Sequence, residues 1–123
     1  MDVLVIAGTE DTPHVILDAA NAKFEMSGRS LPEDVTSFYK PVFEWLAKVD
    51  GISKIDFHIK LEYFNTASSK ILLDIFSKLE GLKENGVDVT IVWNYSSDDE
   101  DMQEAGEEYS ELVEVPFKLV PFD

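Results

Sequence analysis

Residues 61–70 read LEYFNTASSK, the point at which an alternating strand pattern gives way to small hydroxyl residues and then to a helical one. Upstream, Ile55, Phe57, Ile59, Leu61 and Tyr63 alternate with Lys54, Asp56, His58, Lys60 and Glu62, which predicts a strand over Lys54 to Phe64 with one buried face. Downstream, Leu72, Ile75, Phe76, Leu79 and Leu82 recur at helical spacing, and Asn85-Gly86 supplies the left-handed residue that ends a helix. A second alternating strand follows over Val87 to Tyr95, with Val87, Val89, Ile91, Trp93 and Tyr95 on its apolar side. Strand, helix and strand without a hairpin signal imply a parallel pair joined by a right-handed crossover. Both strands keep a polar alternate face, whereas strands covered on both sides are apolar throughout. The reading is therefore an α/β fold with a mixed sheet and helices packed mainly on one face.

Working outward, Val3 to Ala7 reads as a first strand ended by Gly8. His14 to Ala19 alternates with Val15 and Leu17 on one side and His14, Ile16 and Asp18 on the other; Ala22 to Ser27 alternates through Phe24 and Met26. The short Ala20-Asn21 connection predicts an antiparallel hairpin. Gly28 to Asp34 is a breaker segment in which Ser30 and Glu33 have capping-box spacing. Val35, Phe38, Tyr39, Val42, Leu46 and Val49 then form a helical stripe, and Pro41 within it predicts a kink or a division into two helices. Ser97 and Glu100 again have capping-box spacing, which predicts a helix to about Val113. Phe117 to Phe122, interrupted by Pro121, reads as an edge strand.

At 123 residues the chain is expected to be one domain, 1–123, able to bury roughly two-thirds of its unfolded surface around one core. The absence of cysteine excludes disulfides, thiolate catalysis and thiolate metal sites. No apolar run has the length of a membrane span and the amino terminus lacks a basic start, so a cytoplasmic protein with no membrane partner is expected. Ten basic against 25 acidic residues, with Arg29 the sole arginine, exclude nucleic acid as a partner and favour proteins with a basic docking face.

Catalytic constellations are sparse. His14 and His58 fall on the polar faces of strands and read as solvated, and no G-x-S-x-G, P-loop or G-x-G-x-x-G occurs. The acidic run Asp98 to Glu108 has no EF-hand register and reads as a solvated helix face, so neither metal nor cofactor is expected. The 61–70 stretch remains. Asn65, Thr66, Ser68 and Ser69 stand where the first turn of a helix leaves N–H groups without intrahelical partners. Capping alone explains such a cluster, yet the same free N–H groups and dipole also stabilise phosphate, so a hydroxyl here can serve as a phosphorylation switch. Arg29 reads as an exposed loop arginine, with a bidentate pairing to such a phosphate as the alternative.

LEYFNTASSK, together with TPHVILDA and GRSLPEDVTSFYKPVFEWL, closely resembles the SiaC family of bacterial regulatory phosphoproteins, whose fold is like the STAS domain of anti-sigma factor antagonists. The match runs in order from about Ile6 to Trp93 and weakens after Tyr95. It implies that Thr66 is the phosphorylated residue; Ala67, where relatives often have serine, removes one competing hydroxyl but leaves Ser68 and Ser69 as alternatives. It further implies a dedicated Ser/Thr kinase related to anti-sigma factor kinases, a PP2C-like phosphatase, and an effector such as a diguanylate cyclase bound by the unphosphorylated form. On this reading the protein is a switch rather than an enzyme, and Asn65, Thr66, Ser68, Ser69, Lys70 and Arg29 are the expected partner-binding residues.

A different class of function would use the open sheet face as a small-molecule or enzymatic site, with Thr9, Thr12, His14 and Lys60 as polar lining. A structural subunit is a third reading, suggested by the edge strands of a small open sheet.

Overall fold

The computed structural model describes residues 3–123. The chain forms β1 (Leu4–Ile6), β2 (His14–Asp18), β3 (Lys23–Ser30), α1 (Val35–Lys48), β4 (Lys54–Phe64), α2 (Thr66–Glu84), β5 (Asp88–Ser96), α3 (Glu100–Leu112) and β6 (Phe117–Phe122). The strands lie in sequence order in one sheet. β1, β2 and β3 are antiparallel neighbours, while β3 to β6 are parallel. Each crossover, through α1, α2 or α3, advances one place in the same direction. Connections of one hand then lay every helix on the same face, which explains the polar alternate faces of β4 and β5.

The core fills the space between that face and the helices. Val15, Leu17, Phe24 and Met26 from the hairpin meet Tyr39, Val42, Trp45 and Leu46 of α1, while Ile55, Phe57, Ile59, Ile91 and Trp93 meet Leu72, Ile75, Phe76 and Leu79 of α2. The third helix sits over β5 and β6 at close range because Gly106 carries no side chain. A Cβ there would lie 2.6 Å from both Trp93 Cδ1 and Leu119 Cδ2.

Several boundaries differ from the sequence expectation, each for an identifiable reason. β3 continues through Gly28 and Arg29 to Ser30, so the Ser30–Glu33 box does not form. Asp34 caps α1 instead, its carboxylate accepting from Ser37 N at 3.1 Å and Ser37 Oγ at 2.9 Å. Likewise Asp99 caps α3 by accepting from Met102 N, and Ser97 Oγ turns to Asp123. Pro41 sits inside one helix rather than dividing two. Its ring removes the N–H that would bond the Ser37 carbonyl, and both residues are exposed, so water can serve that oxygen.

The expected burial of Tyr63 fails as well: Tyr63 is 51% exposed. Gly28 pairs with Leu61 but Arg29 with Tyr63, so β4 carries one extra residue, Glu62, at a bulge. The alternation therefore shifts by one, Phe64 turns inward, and its ring meets Trp93 at 6.3 Å between centroids.

Candidate functional site

The 61–70 junction is built by a buried chain of hydroxyls. Ser30, Tyr39 and Ser68 are each fully buried. Ser30 Oγ donates to Ser68 Oγ at 2.8 Å, and Ser68 Oγ donates to the Ser30 carbonyl at 3.0 Å. Ser30 has one proton, already given to Ser68, so Tyr39 OH is the donor in the 2.6 Å bond between Tyr39 and Ser30. Burial pushes the Tyr39 phenol up to about 12. The same Ser30 carbonyl accepts from Asn65 N at 3.1 Å. Asn65 Oδ1 in turn accepts from Ser68 N at 2.8 Å, capping α2. The end of β3, the middle of α1 and the first turn of α2 are thereby joined by hydrogen bonds in a water-free setting, where such networks hold geometry firmly.

This arrangement sorts the three candidate hydroxyls. Ser68 is enclosed, and its hydroxyl faces the core because β3 ends one strand away and offers an acceptor there. Ser69 is half-buried and its Oγ donates back to the Thr66 carbonyl at 2.8 Å. Thr66 is exposed at the first position of α2, and among the described residues its hydroxyl has no hydrogen-bond partner. Asn65 is half-buried beside it, and Lys70 is exposed four residues on, hence on the same side of the helix.

Sequence reasoning missed the contribution of α3. Tyr109 OH donates to the Ser69 carbonyl at 2.7 Å, tying α3 to the first turn of α2. Burial and the neighbouring Glu108 carboxylate hold the Tyr109 phenol above its ordinary range. Between the helices runs a shallow groove of about 270 Å³ lined by Phe64, Lys70, Leu73, Tyr109 and Leu112, with Leu112 64% exposed. No local signal could reveal it, because Ser69 and Tyr109 are forty residues apart in the chain.

Arg29 lies elsewhere. Its guanidinium is 5.9 Å from the centroid of the Tyr63 ring, on the sheet face opposite the helices. There it lines an open cleft of about 820 Å³ with Ser27, Lys60, Glu62, Ser96, Asp99 and Phe122. Of the lining suggested for a small-molecule site, only Lys60 is present; Thr9 and Thr12 instead bond to each other at 2.7 Å within their own turn. Among the described residues no group of three or more His, Asp or Glu is placed to hold a metal ion, and no helix is long and apolar enough to cross a membrane.

Residues 6–122 match the family described as SiaC family regulatory phosphoprotein. The chain belongs to this family. It is 31% identical, over its full length and 99% of the relative, to an uncharacterized protein of Pseudomonas aeruginosa strain UCBPP-PA14. Apo-SiaC from P. aeruginosa superposes with a TM-score of 0.86 at 30% identity, covering 98% of this chain and 99% of that one. The structure of the diguanylate cyclase SiaD in complex with its activator SiaC, also from P. aeruginosa, matches with a TM-score of 0.90 at 30% identity over 97% of this chain and 99% of that one. The likeness continues through α3 and β6, beyond the point where the sequence resemblance weakens.

Proposed function

We propose that this SiaC family member is a phosphorylation-switched protein-binding regulator whose unphosphorylated form engages an effector, a diguanylate cyclase by analogy with the SiaD–SiaC complex. The observation that carries the reading is the isolation of Thr66. It is the hydroxyl of the 65–70 stretch that is both exposed and without a hydrogen bond, at the positive end of a 19-residue helix. A Ser/Thr kinase would modify Thr66 and a PP2C-like phosphatase would restore it, in the cytoplasm, with the protein acting as substrate and switch rather than as an enzyme.

Phosphate at Thr66 adds roughly −1.5 to −2 charges. The free N–H groups of the first turn and the Lys70 ammonium stabilise that charge locally. An effector packed over Thr66 and the α2–α3 groove would have to strip water from a dianion, which opposes docking. Asn65, Ser69 and Lys70 belong to this contact surface. Ser68 supports it from below, and Arg29 lies on the other sheet face.

The test is intact mass and phosphopeptide mapping of protein isolated from its own cells with phosphatases inhibited, followed by effector binding. We expect one phosphate on Thr66, full binding by Thr66→Ala, and weakened binding by both the phosphoprotein and Thr66→Glu. Phosphate confined to Ser69, or effector affinity equal in phosphorylated and unphosphorylated protein, overturns the mechanism.

A further inference from the structure

The open face of the sheet differs in charge from the rest of the molecule. Five basic side chains project from it, those of Lys23, Arg29, Lys54, Lys60 and Lys118. The strands set five carboxylates among them, Asp18 and Glu25 of the hairpin, Asp56 and Glu62 of β4, and Asp88 of β5, and Asp99 from the loop after β5 lines the same cleft as Arg29 and Lys60. Nearly all of the net charge of −15 therefore resides elsewhere in the chain, on the helices, loops and remaining positions. Apolar groups also stand on this face. Val5 is 58% and Tyr63 51% exposed, and Ile16 and Val92 are half-buried.

The order of these groups is self-complementary. Ile16, Glu25, His58 and Val92 form one row across β2 to β5, and Lys23 on β3 lies level with Asp56 on β4. A two-fold axis running parallel to the strands between β3 and β4 would place β3 of one copy over β4 of the other, and β2 over β5. Ile16 then faces Val92, Glu25 faces His58, Lys23 faces Asp56, and Arg29 faces the Glu62 bulge, each pair occurring twice, as an isologous contact requires. No like charges meet in these rows.

We propose that the open sheet face is the contact surface for a second copy of this chain in a face-to-face, two-fold dimer. Sheets pack this way at a spacing of about 10 Å with their strands within about 30° of each other. The acidic helices end on the outer sides of such a pair, separated by more than the ~8 Å reach of charge at physiological salt. Both Thr66 sites remain outside and accessible. Six strands at about 4.8 Å spacing and roughly 20 Å of strand give a footprint of about 600 Å² per copy, at the low end for specific contacts, so the dimer is weak and concentration-dependent.

Sedimentation equilibrium of the full chain up to about 1 mM tests this, with the ten-fold effect of a 1.4 kcal/mol contact as the scale. The mass average should rise toward twice that of the chain. Ile16→Glu should weaken association by about tenfold. Lys23→Asp and Asp56→Lys should each weaken it singly, by placing like charges opposite each other, and restore it when combined. Amide spectra of each variant confirm that the fold is retained. A mass that stays monomeric at the highest concentration, or association that these open-face substitutions leave unchanged, overturns the proposal.

Discussion

Replacing a helical glycine with alanine ordinarily stabilises a protein, and at Gly106 we expect the reverse. Alanine gains about 0.8–1.0 kcal/mol of helix propensity over glycine. Against that, the new methyl would lie 2.6 Å from Leu119 Cδ2 and Trp93 Cδ1 and 2.8 Å from Trp93 Nε1. Leu119 can turn away, but Trp93 is fully buried and its Nε1 donates to the Met102 carbonyl at 2.9 Å, within α3 itself. The helix must move off the indole, at the overpacking cost of about 1–3 kcal/mol, and the Trp93 bond, worth about 1 kcal/mol, stretches. The net loss is about 1–2 kcal/mol, or roughly 4–10 °C in Tm for a domain of this size. Gly81 in α2 is the internal control, because a Cβ there meets nothing within 4 Å. Gly81→Ala should raise stability by about 0.5–1 kcal/mol. Urea unfolding of both variants, followed by tryptophan fluorescence, decides the matter. A Gly106→Ala protein as stable as the parent would refute the claim that this glycine sets the distance between α3 and the sheet.

Other outcomes follow from the junction itself. Ser68→Ala leaves the Ser30 hydroxyl without its acceptor in a dry site and should cost about 1–3 kcal/mol in urea unfolding, whereas Thr66→Ala should stay within about 0.5 kcal/mol. Asn65→Ala removes the α2 cap and should cost about 1 kcal/mol, with hydrogen exchange accelerated in the first turn of α2. Burial raises the Tyr39 phenol from 10.0 to about 12, so the unfolded chain loses this proton first. Its contribution to stability is complete below pH 10 and disappears between pH 10 and about 12, and Tyr39→Phe should flatten that part of the alkaline unfolding curve.

Much of the fold was legible because periodicity reports burial directly. The alternation in β4 and β5 and the stripe in α2 placed one sheet face in the core and left the other polar, and the helices lie as that pattern requires. Where reading failed, two local signals competed. Ser30 and Ser97 have the spacing of caps, but Asp34 and Asp99 stand four and two residues nearer to the helices and supply carboxylates, while Ser30 is drawn into the core by Tyr39 and Ser68. Tyr63 follows the alternation in sequence and leaves it in space because one bulged residue reverses every later side chain on the strand.

The candidate site divides along the same line. The hydroxyl cluster at a strand-to-helix junction, and with it Thr66, stands in ten consecutive residues whose spacing is local and therefore readable. Which hydroxyl is enclosed, which is tied back and which is free depends on Ser30 and Tyr39, 38 and 29 residues before Ser68, and on Tyr109, 40 residues after Ser69. The same holds for the open face. Composition fixes a net charge of −15, but only the register of the strands gathers five cations and five carboxylates on one side of the sheet. Local periodicity is set by bond geometry and survives in one dimension; convergence of distant residues exists only once the chain has folded.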